Sequence, residues 1–168
     1  MDPFSFGYNY MTPDSGYLTG QDIVQTLVDI VSKGGNFLLD IGPKADGSIP
    51  SIMQKGLRDA GSWIHGHAES IFDTRFWWNN GPGLDPFRYT VTDDAFYIHV
   101  NSAPGKSLHV VDRVPYLVGD SIVVVGGKLD GTKVPVTLNS DGTINLTLSD
   151  EIIAADEYVW TFKIVYGS

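Results

Sequence analysis

The chain has 168 residues, no cysteine and a formal net charge of −9. That length allows one or two domains. The missing cysteine excludes disulfides and thiolate metal sites, the acidic balance argues against nucleic acid, whose phosphates need a basic face, and no apolar run approaches the roughly 20 residues of a membrane span.

Residues 1–18 are rich in Phe, Tyr, Gly and Pro and show no helical period. Two readings stay open for Phe4, Phe6, Tyr8, Tyr10 and Tyr17: an aromatic loop beside a pocket, or a core segment whose companion strand lies upstream. The opening Met1–Gly7 has no basic region followed by an apolar core, so no signal peptide is expected at this start. Thr19 is placed to cap a helix, with Asp22 closing a near capping box. Ile23, Leu27, Ile30 and Val31 then recur at helical spacing. Gly34-Gly35 can stop that helix in left-handed backbone.

Asn36 to Ile41 is a short apolar run suited to a strand buried on both faces. Gly42-Pro43 and Asp46-Gly47 turn the chain. A second helix is expected from Pro50 to about His65, with Ile52, Leu57, Ala60 and Ile64 as its stripe. Helix, strand, loop, helix is the order of an α/β barrel or open α/β sheet, and in either fold functional residues lie just past the strand ends. That points to Asp40 and the loop 42–48.

After a transition over 68–78 and a loop at 79–83 the pattern changes. Strands are expected near 87–92, 95–101, 107–111, 121–125, 134–138, 144–148 and 158–166, separated by Asp93-Asp94, Pro104-Gly105, Gly126-Gly127, Asp130-Gly131 and Asp141-Gly142. Short strands so spaced suggest an antiparallel sandwich, and Val136 to Leu148 is the clearest hairpin. The expected fold is therefore α/β followed by all-β, with a boundary between about 70 and 82. One strand and two helices are too few for a barrel of eight βα units, so the first part reads as the tail of something larger.

Lys33-Gly-Gly-Asn-Phe-Leu-Leu-Asp-Ile-Gly-Pro43, followed by Asp46-Gly47, closely resembles the last barrel unit of α-L-fucosidases of glycoside hydrolase family 29. Phe4-Ser-Phe-Gly-Tyr-Asn9 looks like that family's loop before its seventh barrel helix, Leu27 to Lys33 is similar to the helix, and Gly61 to Trp77 is similar to the segment leading out of the barrel. The resemblance is dense over 1–78. Over 79–168 it holds at the level of architecture, because the family carries a C-terminal β-sandwich there. It implies the last elements of a (β/α)8-type barrel (1–78, incomplete) plus a C-terminal antiparallel β-sandwich (79–168).

The implied activity is that of a retaining exo-hydrolase removing α-linked L-fucose from fucosylated glycans. This chemistry needs two carboxyl groups about 5–5.5 Å apart. The family's nucleophile, an aspartate on the fourth barrel strand, has no counterpart in this chain, so the fragment alone is expected to be inactive. For the acid/base, Asp2 occupies the place that animal-type members use, and Asp14 is the reserve, near where bacterial members carry a Glu. A turn role before Pro3 is the competing reading of Asp2. Phe37 matches an aromatic that packs against the sugar near its C5 methyl, with plain barrel core as the competing reading. Asp40 stands where the family more often has Asn, which can donate as well as accept. No cofactor is implied. A secreted or lysosomal full-length enzyme and a homo-oligomer are consistent with the resemblance, without nucleic acid or membrane partners.

The weaker signals are four. His65-Gly-His67 lacks the further placed ligand that a metal site needs. His99 and His109 fall on expected strands as surface or satisfied core residues. Trp77-Trp78 suits a domain junction better than a sugar platform. Asn145-Leu-Thr147 fits the N-glycosylation acceptor pattern. The alternative function is a non-catalytic carbohydrate-binding or structural β-sandwich module, whose mark would be a row of exposed aromatics on one sheet face.

Overall fold

A computed structural model describes residues 1–78 and 86–165; the expected loop at 79–83 and Tyr166 lie outside them. Helix α1, Gly20–Ser32, begins as its sequence dictates. The Thr19 side chain accepts from Asp22 N, and Asp22 Oδ2 accepts from Thr19 N at 2.8 Å, so both halves of the capping box are made. Helix α2, Ser51–Gly66, follows Pro50, and the short α3, Ala68–Ile71, continues from its end. Ile23, Val24 and Val28 of α1 meet Met53, Ala60 and Trp63 of α2 in one apolar cluster.

Among the described residues the strands are β1 Arg75–Phe76, β2 Phe87–Val91, β3 Ala95–Val100, β4 Ser107–Val110, β5 Ser121–Val125, β6 Lys133–Val134, β7 Val136–Leu138, β8 Ile144–Thr147 and β9 Trp160–Val165. They form two antiparallel sheets among the described residues, one in the order β1-β2-β3-β9-β5-β6 and one in the order β4-β8-β7. Phe96, Ile98, Phe162 and Ile122 of the first sheet share a core with Leu108, Val110, Ile144 and Leu146 of the second. Each such buried side chain contributes about 1.5–3 kcal/mol.

The opposite face of the large sheet carries the helices, so β3 is buried on both sides. Arg88 Nε donates to Asp29 Oδ1 of α1 at 2.7 Å, Thr90 Oγ1 donates to the Ser70 carbonyl at 2.8 Å, and Gln25 Nε2 bonds the carbonyls of Asn101 and Tyr158. Tyr97 and Lys163 both donate to Glu69.

Several local outcomes differ from the sequence reading. Residues 36–41 form no strand, because a strand is defined by its ladder. Among the described residues the sole backbone partner of this run is Met1, whose nitrogen donates to the Asp40 carbonyl at 2.6 Å. The run still alternates, with Phe37, Leu39 and Ile41 half-buried against the helices and Leu38 at 92% exposure. The single strand expected at 134–138 is two. Pro135, which cannot donate to a ladder, separates β6 in the large sheet from β7 in the small one, and its carbonyl accepts from Thr147 N. Helix α3 and helix α4, Asp150–Ala154, were not foreseen; α4 starts where Ser149 Oγ accepts from Ile152 N. The hairpin β7–β8 stands as expected, closed by Asn139 N donating to the Thr143 carbonyl.

Candidate functional site

Two loops meet beside the unpaired run. Gly42 lies so close to the backbone of Gly7 and Tyr8 that a Cβ on it would sit 2.2 Å from Tyr8 N. Lys44 reaches over the Tyr8 ring, 6.0 Å from its centroid, in cation–π geometry. Met1, hydrogen-bonded to Asp40 on one side, accepts from Leu18 N on the other at 3.0 Å. Around these contacts opens a cavity of about 600 Å³ whose lining includes Asp2, Phe6, Phe37, Asp40 and Met53.

The structure brings Asp2, Phe37 and Asp40 to this one cavity and leaves Asp14 outside it. Asp14 opens a single 3-10 turn, Asp14–Gly16, and borders a separate cleft with Lys55 and Asp59. Asp2 is 7% exposed. Its Oδ2 accepts from the Thr12 hydroxyl at 2.6 Å and its Oδ1 from Phe4 N at 2.9 Å. The Thr12 bond first, then the Phe4 bond, hold its carboxyl below the usual carboxylate range. In this state Asp2 is an ionised anchor for the loop 2–12, the opposite of what a proton donor requires. Phe37 presents part of its ring to the cavity and packs the rest on the helical cluster. Asp40 is exposed and accepts from Ile41 N at 2.9 Å.

The segments that form this cavity carry uncovered apolar side chains. Phe4, Phe6, Tyr10, Met11 and Leu38 are each at least 70% exposed. Phe6 and Leu38 also line the cavity, and uncovered apolar side chains at such a place mark a binding or packing surface. Sequence reasoning listed the aromatics without placing them. The meeting of Gly42 with Gly7 is a contact across 35 positions that no local pattern encodes.

The remaining candidates resolve as follows. His65 is exposed while His67 is buried, and among the described residues no group of three or more His, Cys, Asp or Glu converges as metal ligands would. His99 is core, between Thr90 Oγ1 at 2.9 Å and Thr161 Oγ1 at 3.0 Å, and burial, then the neighbouring His67, push its pKa down to about 3. His109 is exposed and bonds Asn145 Oδ1 at 2.9 Å. Asn145 is half-exposed on the small sheet and donates to Asn139 Oδ1. Trp77 packs edge-on against Tyr89 and Phe96 in the large core, and Trp78 is 78% exposed. No helix among the described residues is long and apolar enough to cross a membrane.

The fold is similar to that of solved α-L-fucosidases. A Thermotoga maritima alpha-fucosidase solved in complex with fucose superposes with a TM-score of 0.82 at 26% identity, over 95% of this chain and 37% of that one. The same enzyme solved with a mechanism-based inhibitor gives 0.82 at 25% identity, over 96% of this chain and 37% of that one. Within that class, residues 1–69 match the alpha-L-fucosidase family model. Plasma alpha-L-fucosidase of Rattus norvegicus is 39% identical over 108 residues, 64% of this chain and 21% of the relative. Human tissue alpha-L-fucosidase is 39% identical over 77 residues, 46% of this chain and 16% of the relative. Over these matches the chain is similar to α-L-fucosidases of glycoside hydrolase family 29, and the similarity supports a C-terminal portion of such an enzyme. It spans about a fifth of the rat relative's length.

Proposed function

We propose that this chain is the C-terminal part of a retaining α-L-fucosidase, with residues 1–78 forming the last elements of its catalytic barrel and 79–168 a β-sandwich packed behind them. The observation that carries the reading is the run 36–41: half-buried on the helix side, without ladder partners among the described residues, and lining a cavity with the uncovered Phe6 and Leu38. Such a run is what a barrel strand becomes when its neighbouring strands belong to another part of the polypeptide. Those neighbours would cover the apolar patch and pair the free backbone groups, which otherwise invite association.

The substrate would be a terminal α-L-fucosyl group of a fucosylated glycan, set against Phe37 with Asp2 at the glycosidic oxygen. Hydrolysis with retention needs a nucleophilic carboxylate facing the acid. The nucleophile would come from a strand outside this chain, and its negative charge near Asp2 would raise the Asp2 pKa toward that of a working acid, against the pull of Thr12. Asp14, on its separate cleft, is the less favoured acid. Without the nucleophile the chain alone should not turn over substrate. The plasma and tissue fucosidases among its relatives favour a secreted or lysosomal setting for the whole enzyme, and association of whole enzymes into a homo-oligomer is compatible with this arrangement.

The test is a chromogenic aryl α-L-fucoside, offered to the purified chain and to a polypeptide extended upstream through the missing strands. The extended protein should release the chromophore and the chain should not. Turnover by the chain, lost in Asp2→Asn or Asp14→Asn, would overturn the claim that half of the carboxylate pair is absent. An extended protein inert to fucosides and active on another aryl glycoside would overturn the substrate.

A further inference from the structure

Behind the sheet, far from the cavity, one buried side chain has an arrangement that the fucosidase reading does not use. His67 follows the last residue of α2 and is 1% exposed. Its Nδ1 lies 2.8 Å from the Trp63 carbonyl and its Nε2 lies 2.7 Å from Asp156 Oδ2. We infer that His67 is held in the folded chain as a doubly protonated imidazolium, a proton-operated latch between the end of α2 and the loops that border β5 and β9.

The argument is one of donors and acceptors. A carbonyl oxygen only accepts, and an ionised carboxylate only accepts. A neutral imidazole carries one N–H, so one ring nitrogen would point a lone pair at an oxygen from which water is shut out. The Asp156 side chain is itself 8% exposed, so that contact cannot be relieved by solvent at either end. With both nitrogens protonated, both contacts become charge-assisted hydrogen bonds.

Three further features favour the cation. The ring stacks on the Trp63 indole, 3.9 Å between centroids and 10° from parallel, placing the charge on an aromatic face. Trp63 O is one of the last carbonyls of α2, where the helix dipole favours positive charge. Gly126, at φ +78°, passes directly over the ring, and a Cβ there would fall 2.4 Å from Nε2, so the loop is shaped around the imidazole.

The charged neighbours are consistent with this. Asp156 and Glu157 approach from the loop before β9, Asp59 from α2, and Lys128 from the 3-10 turn Gly127–Leu129, all bordering one cleft. Carboxylates outnumber cations there by three to one. From β3, His99 is kept neutral between its two threonines. Loss of one proton from His67 removes one of its two anchoring bonds and loosens α2 from loops 126–127 and 156.

The inference stands independently of what the site hydrolyses. It is tested on the wild-type chain at neutral pH by nitrogen-15 NMR of the histidine rings. The His67 ring should show a proton on both nitrogens, slow to exchange, whereas His99 shows one. A single protonated nitrogen on His67 would overturn it. A second measurement follows exchange of the Trp63 indole N–H, which donates to the Val159 carbonyl beside the latch at 3.0 Å. Going from mildly acidic to mildly alkaline solution should raise its opening-limited exchange about tenfold or more in the wild type, the factor a lost charge-assisted hydrogen bond carries. In His67→Gln, which keeps one donor and cannot ionise, that extra pH dependence should vanish. Equal pH dependence in both proteins would refute the latch.

Discussion

Gly42 offers the sharpest test of how the cavity is built. In Gly42→Ala the new methyl would lie 2.2 Å from Tyr8 N and 2.6 Å from the Gly7 carbonyl carbon, whereas ordinary contact begins near 3.4 Å. The obstacle is backbone on both counts, so no side chain can swing away. The loops 1–12 and 40–48 must separate by about 1.2 Å, or the Met1–Asp40 hydrogen bond must break. Overpacking of this kind costs about 1–3 kcal/mol, and a protein of this size loses about 2–4 °C of midpoint per kcal/mol. The assay is thermal unfolding by circular dichroism, run beside Gly61→Ala as a control. Gly61 is inside α2 with nothing within 4 Å of its added carbon, so there alanine should stabilise by about 0.5–1 kcal/mol through helix propensity. A Gly42→Ala protein that melts with the wild type, or a Gly61→Ala protein that melts below it, would refute the account of the two glycines.

Thr12→Val should let the Asp2 pKa rise toward its ordinary value, read as a shift of the Asp2 carboxyl carbon titration; an unchanged titration would remove Thr12 as its main cause. Because the folded Asp2 pKa is depressed, its contribution to stability is present above the unfolded value near about 3.9 and is lost as pH falls through the folded one, so the variant should lose its part of that acid sensitivity. His99 works with the other kind of group and the same direction: it is buried neutral with a pKa of about 3, against an ordinary 6.5. The unfolded chain therefore binds a proton the folded one refuses, stability falls as pH drops from about 6.5 toward 3, and His99→Gln should flatten that slope in pH-dependent denaturant titrations. Asp29→Ala removes the α1 carboxylate from the buried Arg88 guanidinium and should cost about 1–3 kcal/mol, below the range for a fully buried pair because Asp29 is itself a third exposed. A double-mutant cycle with Arg88→Met should recover part of that loss, and strict additivity would deny the coupling.

Features encoded within a few residues were legible from the sequence. The Thr19–Asp22 capping box, the Asn139–Thr143 hairpin closure and the alternation of Phe162 and Ile164 with Thr161 and Lys163 each follow from chemistry at short range. What escaped was set at long range or by very short elements. Residues 36–41 have the composition of a strand, but a strand needs a neighbour and none is described beside it. Pro135 marked its own break, since a residue without an N–H cannot continue a ladder, and reading it that way would have divided the run 134–138. Helix α4 is a single short turn with Ser149 as its only strong cue. At the candidate site, Asp2 and Phe37 came from family resemblance, and their sharing of one cavity is a fact of folding. The grip of Thr12 on Asp2 crosses ten positions, and the pairing of His67 with Asp156 crosses eighty-nine. Neither spacing belongs to a local motif.

The two-sided burial of β3 has a consequence for anyone who would divide this molecule. Tyr97, His99 and Thr161 face helices rather than solvent, and His99 is fully enclosed. Severed near residue 78, the strand-rich half would offer water a surface composed for a helical lid, including an aromatic, an imidazole that resists charging and a guanidinium parted from the Asp29 carboxylate. Such a half-molecule should clump or scavenge a substitute cover, which makes the helices a structural necessity for the sheets as much as a rim for the cavity.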